Sequence, residues 1–198
     1  RGLGDVYKRQ GNYFFMEKLE GDNFFLVKDG MSEEEIATID TEIGKISQEL
    51  SNIQNSEFGF LGEDTRYDSL FKFVKQMLEN LISDAQKRGI DIIYDEQTFL
   101  NKLENDKSAF ETIHNASLVH WDMWEGNVFI KDGHVSGIID WERALWGEPF
   151  MDDRFRIHNR GKHFLEGFGQ TSFSEDELHL ILPREADWPS SVSRYHLR

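Results

Sequence analysis

The chain has 198 residues, a formal net charge of −15, 38% hydrophobic and 30% charged residues, and no cysteine. That length can bury a core as one good-sized domain or two small ones. The absence of cysteine excludes disulfides and thiolate zinc sites, and the acidic balance argues against a nucleic-acid binder, which needs a basic face to neutralise phosphate.

No apolar run is long enough to cross a bilayer and no signal-peptide pattern opens the chain, so a cytoplasmic protein with no membrane partner is expected. The opening decapeptide RGLGDVYKRQ does not match the residues after it. Asp5 to Gln10 can be written as the codons of a transposon end used to prepare sequencing libraries. Residues 1–10 are therefore expected to be a translated adapter and are set aside from fold reasoning.

Tyr13 to Met16 form an apolar and aromatic run that reads as a short buried strand, followed by a connection through Gly21. Phe24 to Val27 read as a second short strand or an apolar loop. Ser32 and Glu35 then make a capping-box pattern. Behind it Ile36, Ile39, Ile43, Ile46, Leu50 and Ile53 recur at spacings of three and four, the stripe of a helix with one buried face. The loop NSEFGFLGEDTRYD comes next. A second helix is expected from Ser69 to Lys87, burying Leu70, Phe71, Val74, Met77, Leu78, Leu81 and Ile82, with Gly89 as its C-terminal cap. A third covers Glu96 to Asn105.

The pattern then changes to strands. Val128 to Ile130 and Val135 to Ile139 flank Asp132-Gly133, a two-residue hairpin signal. Pairing across that loop sets Lys131 against His134 and Asn127 against Ile138. Asp140 then returns beside Asn127, about 7 Å away on the diagonal. Asp122 sits five residues before Asn127. One amide oxygen and two carboxylates thus meet at the open end of a hairpin, a set of hard oxygen donors suited to Mg²⁺ and substrate phosphates. Asp152 and Asp153, in a proline-containing loop, read as structural, and Trp121, Trp124, Trp141 and Trp146 as packing for the loop. Near the end, SFSEDELHLIL reads as a helix start with Leu178, Ile181 and Leu182 on one face, stopped by Pro183. Residues 183–198 are either out of frame or a natural disordered tail.

HWDMWEGN followed by IIDWE resembles the catalytic loop and metal-binding segment of the aminoglycoside phosphotransferase family, small-molecule kinases with a protein-kinase-like fold. Their pattern is His-x-Asp, four residues, Asn, a hairpin, then Ile-Asp-Trp or Ile-Asp-Phe. Upstream, YFFMEKLEG resembles the family's hinge between lobes, and the Ile-rich helix its first long C-lobe helix. The resemblance covers roughly residues 13 to 170. It implies an α+β fold, mainly helical: a kinase-like C-lobe with a catalytic-loop hairpin over residues 11–182. It also implies an ATP-dependent O-phosphotransferase acting on a small hydroxyl compound, such as an aminoglycoside or an amino alcohol. On that reading Asp122 accepts or orients the substrate hydroxyl proton, Asn127 and Asp140 hold Mg²⁺, and Met16, Glu17 and Leu19 meet the adenine of ATP. His120 shapes the loop. The phosphate-covering loop, strand Lys and helix Glu of such kinases have no match here, so a truncated, inactive chain without its N-lobe is expected. A catalytically silent domain that binds a ligand or a protein is the alternative.

Overall fold

A computed structural model describes residues 18–90, 96–155, 161–174 and 177–178. The decapeptide 1–10, the expected strand Tyr13–Met16 and the tail after 182 lie outside the described residues. The elements in chain order are β1 (Asp22–Asn23), α1 (Phe24–Val27), α2 (Glu33–Ser51), β2 (Gln54–Asn55), β3 (Gly59–Phe60), α3 (Leu70–Lys87), α4 (Glu96–Asn105) and α5 (Lys107–Glu111). After them come β4 (Ala116–Val119), β5 (Val128–Lys131), β6 (His134–Ile138), β7 (Leu145–Gly147) and α6 (Lys162–Phe168). The fold is α+β with two antiparallel sheets, ordered β1-β5-β6 and β2-β4-β7-β3.

The three long helices form where the hydrophobic periods place them. Ser32 and Glu35 close the capping box of α2, the Ser32 hydroxyl accepting from Glu35 N and the Glu35 carboxylate from Ser32 N. Ile39 and Ile43 are wholly buried, whereas Ile53 lies beyond the helix end and is 48% exposed. The Ile stripe therefore ends one turn earlier than its spacing suggests. Ser69 caps α3, and Gly89 follows it at φ 64°. Leu81 departs from expectation at 65% exposed, while Phe73 is buried. Phe24 to Val27 form one helical turn, neither strand nor loop, with Phe24 buried and Phe25 and Leu26 exposed.

Aromatic packing dominates the core. Phe155 meets Phe150, Phe164 and Phe168 edge-on, at 5.2, 5.1 and 4.8 Å between ring centres, an arrangement that favours aromatic pairs beyond simple burial. Helices α2 and α6 approach backbone to backbone at two glycines. A Cβ on Gly44 would strike Phe164 O and Phe168 N, and one on Gly167 would strike Thr41 O. Glu42 on α2 also holds the β5–β6 hairpin, its two carboxylate oxygens reaching His134 Nδ1 at 2.6 Å and accepting from Val135 N at 2.8 Å.

A cavity of about 490 Å³ lies where β7 meets the Pro149–Met151 turn, α6 and the segment after it, lined in part by Ile113, Glu148, Phe150, Phe168 and Glu177. Burial, with the negative charge of Glu177 second, pushes the Glu148 carboxyl up to about 7. The folded chain thus binds this proton more tightly than the unfolded one. The stabilisation is full below the ordinary carboxyl pKa and is lost as pH rises through 7. Among the described residues no helix is long and apolar enough to cross a membrane.

Two outcomes are expected from this packing. Gly167→Ala should lower stability by about 1–3 kcal/mol in urea titration, because neither backbone can yield without separating the helices. Glu148→Gln should flatten the dependence of the urea midpoint on pH between 5 and 8. At pH 8 it should be more stable than the parent by about 1–3 kcal/mol.

Candidate active site

The site is built on the turn between β4 and β5 and on the far end of the β5–β6 hairpin. The hairpin turns at Asp132 and Gly133, with φ of 53° and 80°, the left-handed pair that suits the twist of two antiparallel strands. Lys131 faces His134 as the sequence predicts, but the register slips between Phe129 and Ile130. Val128 rather than Asn127 then faces Ile138, and Ile139 N donates to Asn127 O at 3.0 Å. The extra residue of this bulge is Ser136, whose hydroxyl donates to Glu20 O at 2.8 Å. The slip brings Asp140 one residue nearer to Asn127 along the strands than simple pairing does.

Asn127 is tied to the Asp122 carbonyl and to the Ile139 amide beside Asp140, and the three residues differ in state. Asn127 is buried and its Nδ2 donates to Asp122 O at 2.8 Å, which leaves its Oδ1 turned away from that bond. Asp140 is exposed, sits in the left-handed region at φ 66° and ψ 56°, and its side chain caps no amide. Asp122 is half-buried, and Arg143 Nη1 stands 3.6 Å from its Oδ2. Sequence reasoning missed this pair. Its only signal is the Arg three residues past Asp140.

The loop around Asp122 is held by buried polar groups. His120 is 1% exposed. Its Nδ1 accepts from Asp122 N at 3.3 Å and its Nε2 lies 2.9 Å from Ile139 O, so the ring proton belongs on Nε2. Trp141 packs edge-on against it at 4.7 Å. Trp121 takes φ 69°, rare for a bulky residue. Its N–H donates to Asp152 Oδ2 at 2.9 Å, and Arg154 N donates to Asp152 Oδ1 at 3.2 Å. Burial pushes the Asp152 carboxyl up, opposed by these two amides and by His120. Asp152 is thus structural, as read from sequence, and what it supports is the loop that carries Asp122. Trp124 and Trp141 pack on the loop as expected, though partly exposed, at 38% and 37%. Trp124 lies against Phe25 at 5.4 Å and covers Gly126.

Of the three residues expected near adenine, Met16 and Glu17 lie outside the described residues. Leu19 is half-buried and packs on Gly137 of β6. It helps line a cleft of about 440 Å³ with Lys18, Glu20, Gly21 and Lys131. Lys131 and Glu20 form an ion pair across it.

Among the described residues no three His, Cys, Asp or Glu side chains converge, so a closed metal cage is absent there. The donor set of one amide oxygen and one open carboxylate instead fits Mg²⁺, which keeps waters and relies on substrate phosphates for its remaining ligands.

This α+β fold of helices and antiparallel sheets is similar to that of kinase-like phosphotransferases. The chain belongs to the phosphotransferase enzyme family, whose model matches residues 2–153. Its fold is similar to that of a Haemophilus somnus 129PT protein assigned as a fructosamine-3-kinase, at TM-score 0.59 and 15% identity over 82% of this chain and 54% of that one. It is also similar to APH(2")-IIa in complex with gentamicin, at TM-score 0.51 and 17% identity over 83% of this chain and 56% of that one. The streptomycin–ATP ternary complex of APH(2")-IIa gives TM-score 0.50 and 16% identity, over 82% of this chain and 57% of that one. The chain thus spans a little over half the length of these solved relatives. No curated protein matches it.

Asp152→Ala should lower stability by about 1–3 kcal/mol, because the Trp121 amide loses its buried acceptor. Urea titration followed by tryptophan fluorescence measures this.

Proposed function

We infer that this chain is the hinge and C-lobe of an ATP-dependent O-phosphotransferase acting on a small hydroxyl compound such as an aminoglycoside or an amino alcohol. The observation that carries the reading is the orientation of Asn127. Its amide N–H₂ donates to Asp122 O, so Oδ1 rather than the amide nitrogen is the atom left for a ligand, and the Asp140 carboxylate caps no amide. Membership of the phosphotransferase family supports the reaction class. Among the similar structures, one holds gentamicin and another holds streptomycin with ATP, which supports a small-molecule acceptor and a nucleotide donor.

On this reading Asn127 Oδ1 and Asp140 hold Mg²⁺. Bound by these two residues, Mg²⁺ would supply positive charge against the nucleotide phosphates. Asp122 accepts a hydrogen bond from the acceptor hydroxyl, orients it for in-line attack and takes its proton as the new O–P bond forms and the bond from the γ-phosphorus to the β–γ bridging oxygen breaks, with ADP leaving. The rigid loop around Asp122 keeps that carboxylate in reach, and positioning of this kind supplies much of the acceleration in phosphoryl transfer. Arg143 sets a positive charge beside Asp122 in a strongly acidic chain. Met16, Glu17 and Leu19 meet adenine, the cleft beside Leu19 marking the entrance. The chain spans a little over half the length of the similar solved structures, so its activity is assayed in the complete gene product. ATP as donor and a cysteine-free chain fit the cytoplasm.

The test uses the complete gene product with a panel of aminoglycosides and amino alcohols. Asp122→Ala is expected to reduce kcat by about 10²–10⁴-fold with an unchanged circular dichroism spectrum. Asn127→Ala and Asp140→Ala are expected to raise the Mg²⁺ concentration needed for half-maximal rate. Unchanged turnover in Asp122→Ala removes that residue from the mechanism.

A further inference from the structure

Three consecutive residues of the loop each have one backbone group held by a side chain. Asp152 takes the Trp121 N–H, Asn127 donates to Asp122 O, and Arg154 Nε donates to Met123 O at 2.6 Å. The third contact comes from an unusual residue. Arg154 is 4% exposed, and its Nη1 donates to Asp40 Oδ1 of α2 at 3.2 Å. Its Nη2 is buried with no protein partner. Burial raises the Asp40 carboxyl, and Arg154 opposes that rise.

A role in fold stability alone does not call for this arrangement. Burying a guanidinium loses hydration, the orphan Nη2 adds to that loss, and an apolar side chain of similar volume fills such a site as well. What the guanidinium does, and an apolar group cannot, is join a carbonyl and a carboxylate at fixed spacing through one rigid plane. The carbonyl belongs to the residue immediately after Asp122, and the carboxylate to the longest helix of the fold.

We propose that Arg154, anchored on Asp40, is a positioning residue that fixes the Met123–Trp124 peptide and so the placement of Asp122 relative to Asn127. The inference rests on the proposed role of Asp122 in phosphoryl transfer. Asp152 and Arg154 hold the loop from the same turn, on the two sides of Asp122. Without Arg154 the Met123 carbonyl is free to rotate, and the 122–127 turn loses its tie to α2.

The deciding experiment is amide hydrogen exchange on the chain itself, in the parent and in Arg154→Met and Asp40→Asn. The Met variant keeps the volume and removes both contacts. In both variants, exchange at Asn127 and Val128 is expected to quicken by about tenfold or more, with α3 amides unchanged. Arg154→Lys, which can make one of the two contacts, should fall between. Parent-like exchange at 127 and 128 in a folded variant overturns the proposal, as does acceleration spread evenly over the chain. Should Arg154→Met fail to fold, Asp40→Asn decides. In the complete gene product, Arg154→Met should lower kcat while leaving the KM for ATP near the parent value. If the parent transfers no phosphoryl group to any acceptor, the functional reading fails, and the exchange result still decides the clamp.

Discussion

The buried turn between β4 and β5 is the constraint on which the rest of this structure depends. Its amides and carbonyls cannot join a sheet ladder, and leaving them unpaired out of water costs about as much as a lost hydrogen bond each. Side chains supply the partners instead. Asp152 serves Trp121 N, His120 serves Asp122 N, Asn127 serves Asp122 O and Arg154 serves Met123 O. These groups come from the turn itself and from the segment after β7, and Asp40 on α2 anchors one of them. The close α2–α6 packing at Gly44 and Gly167 and the cluster around Phe155 fix the ground on which those groups stand.

The charges around the turn are divided between two tasks. Asp152 and Asp40 face inward and are occupied with holding backbone or Arg154. Asp122 and Asp140 face the solvent side of the loop, the first beside Arg143 and the second open. The separation arises from burial. A carboxylate inside needs donors around it to stay charged, whereas one at the rim keeps its charge through water and can meet a ligand.

Several features were legible in the sequence because they depend on near neighbours. The capping box at Ser32 and Glu35, the Ser69 start and Gly89 stop of α3, the bounds of α4 and the Asp132-Gly133 turn are local physics. Misreadings arose where tertiary packing overrode local preference. Phe24 to Val27 carry strand-like residues but curl into a turn of helix, since only Phe24 finds the core. Leu81 lies in the α3 stripe yet stays exposed.

By itself the sequence determined the starts of α2 and α3, the bounds of α4 and the hairpin turn, because these depend on spacings within a few residues. Only the tertiary structure decided the bulge at Ser136 that sets Asn127 against Ile139, the Arg143–Asp122 pair, and the use of Asp152, Arg154 and Asp40 to hold the loop. The reason is distance along the chain. Asp152 is 31 residues from Trp121, and Asp40 is 114 from Arg154, so no periodicity or local motif relates them until α2 packs against the loop.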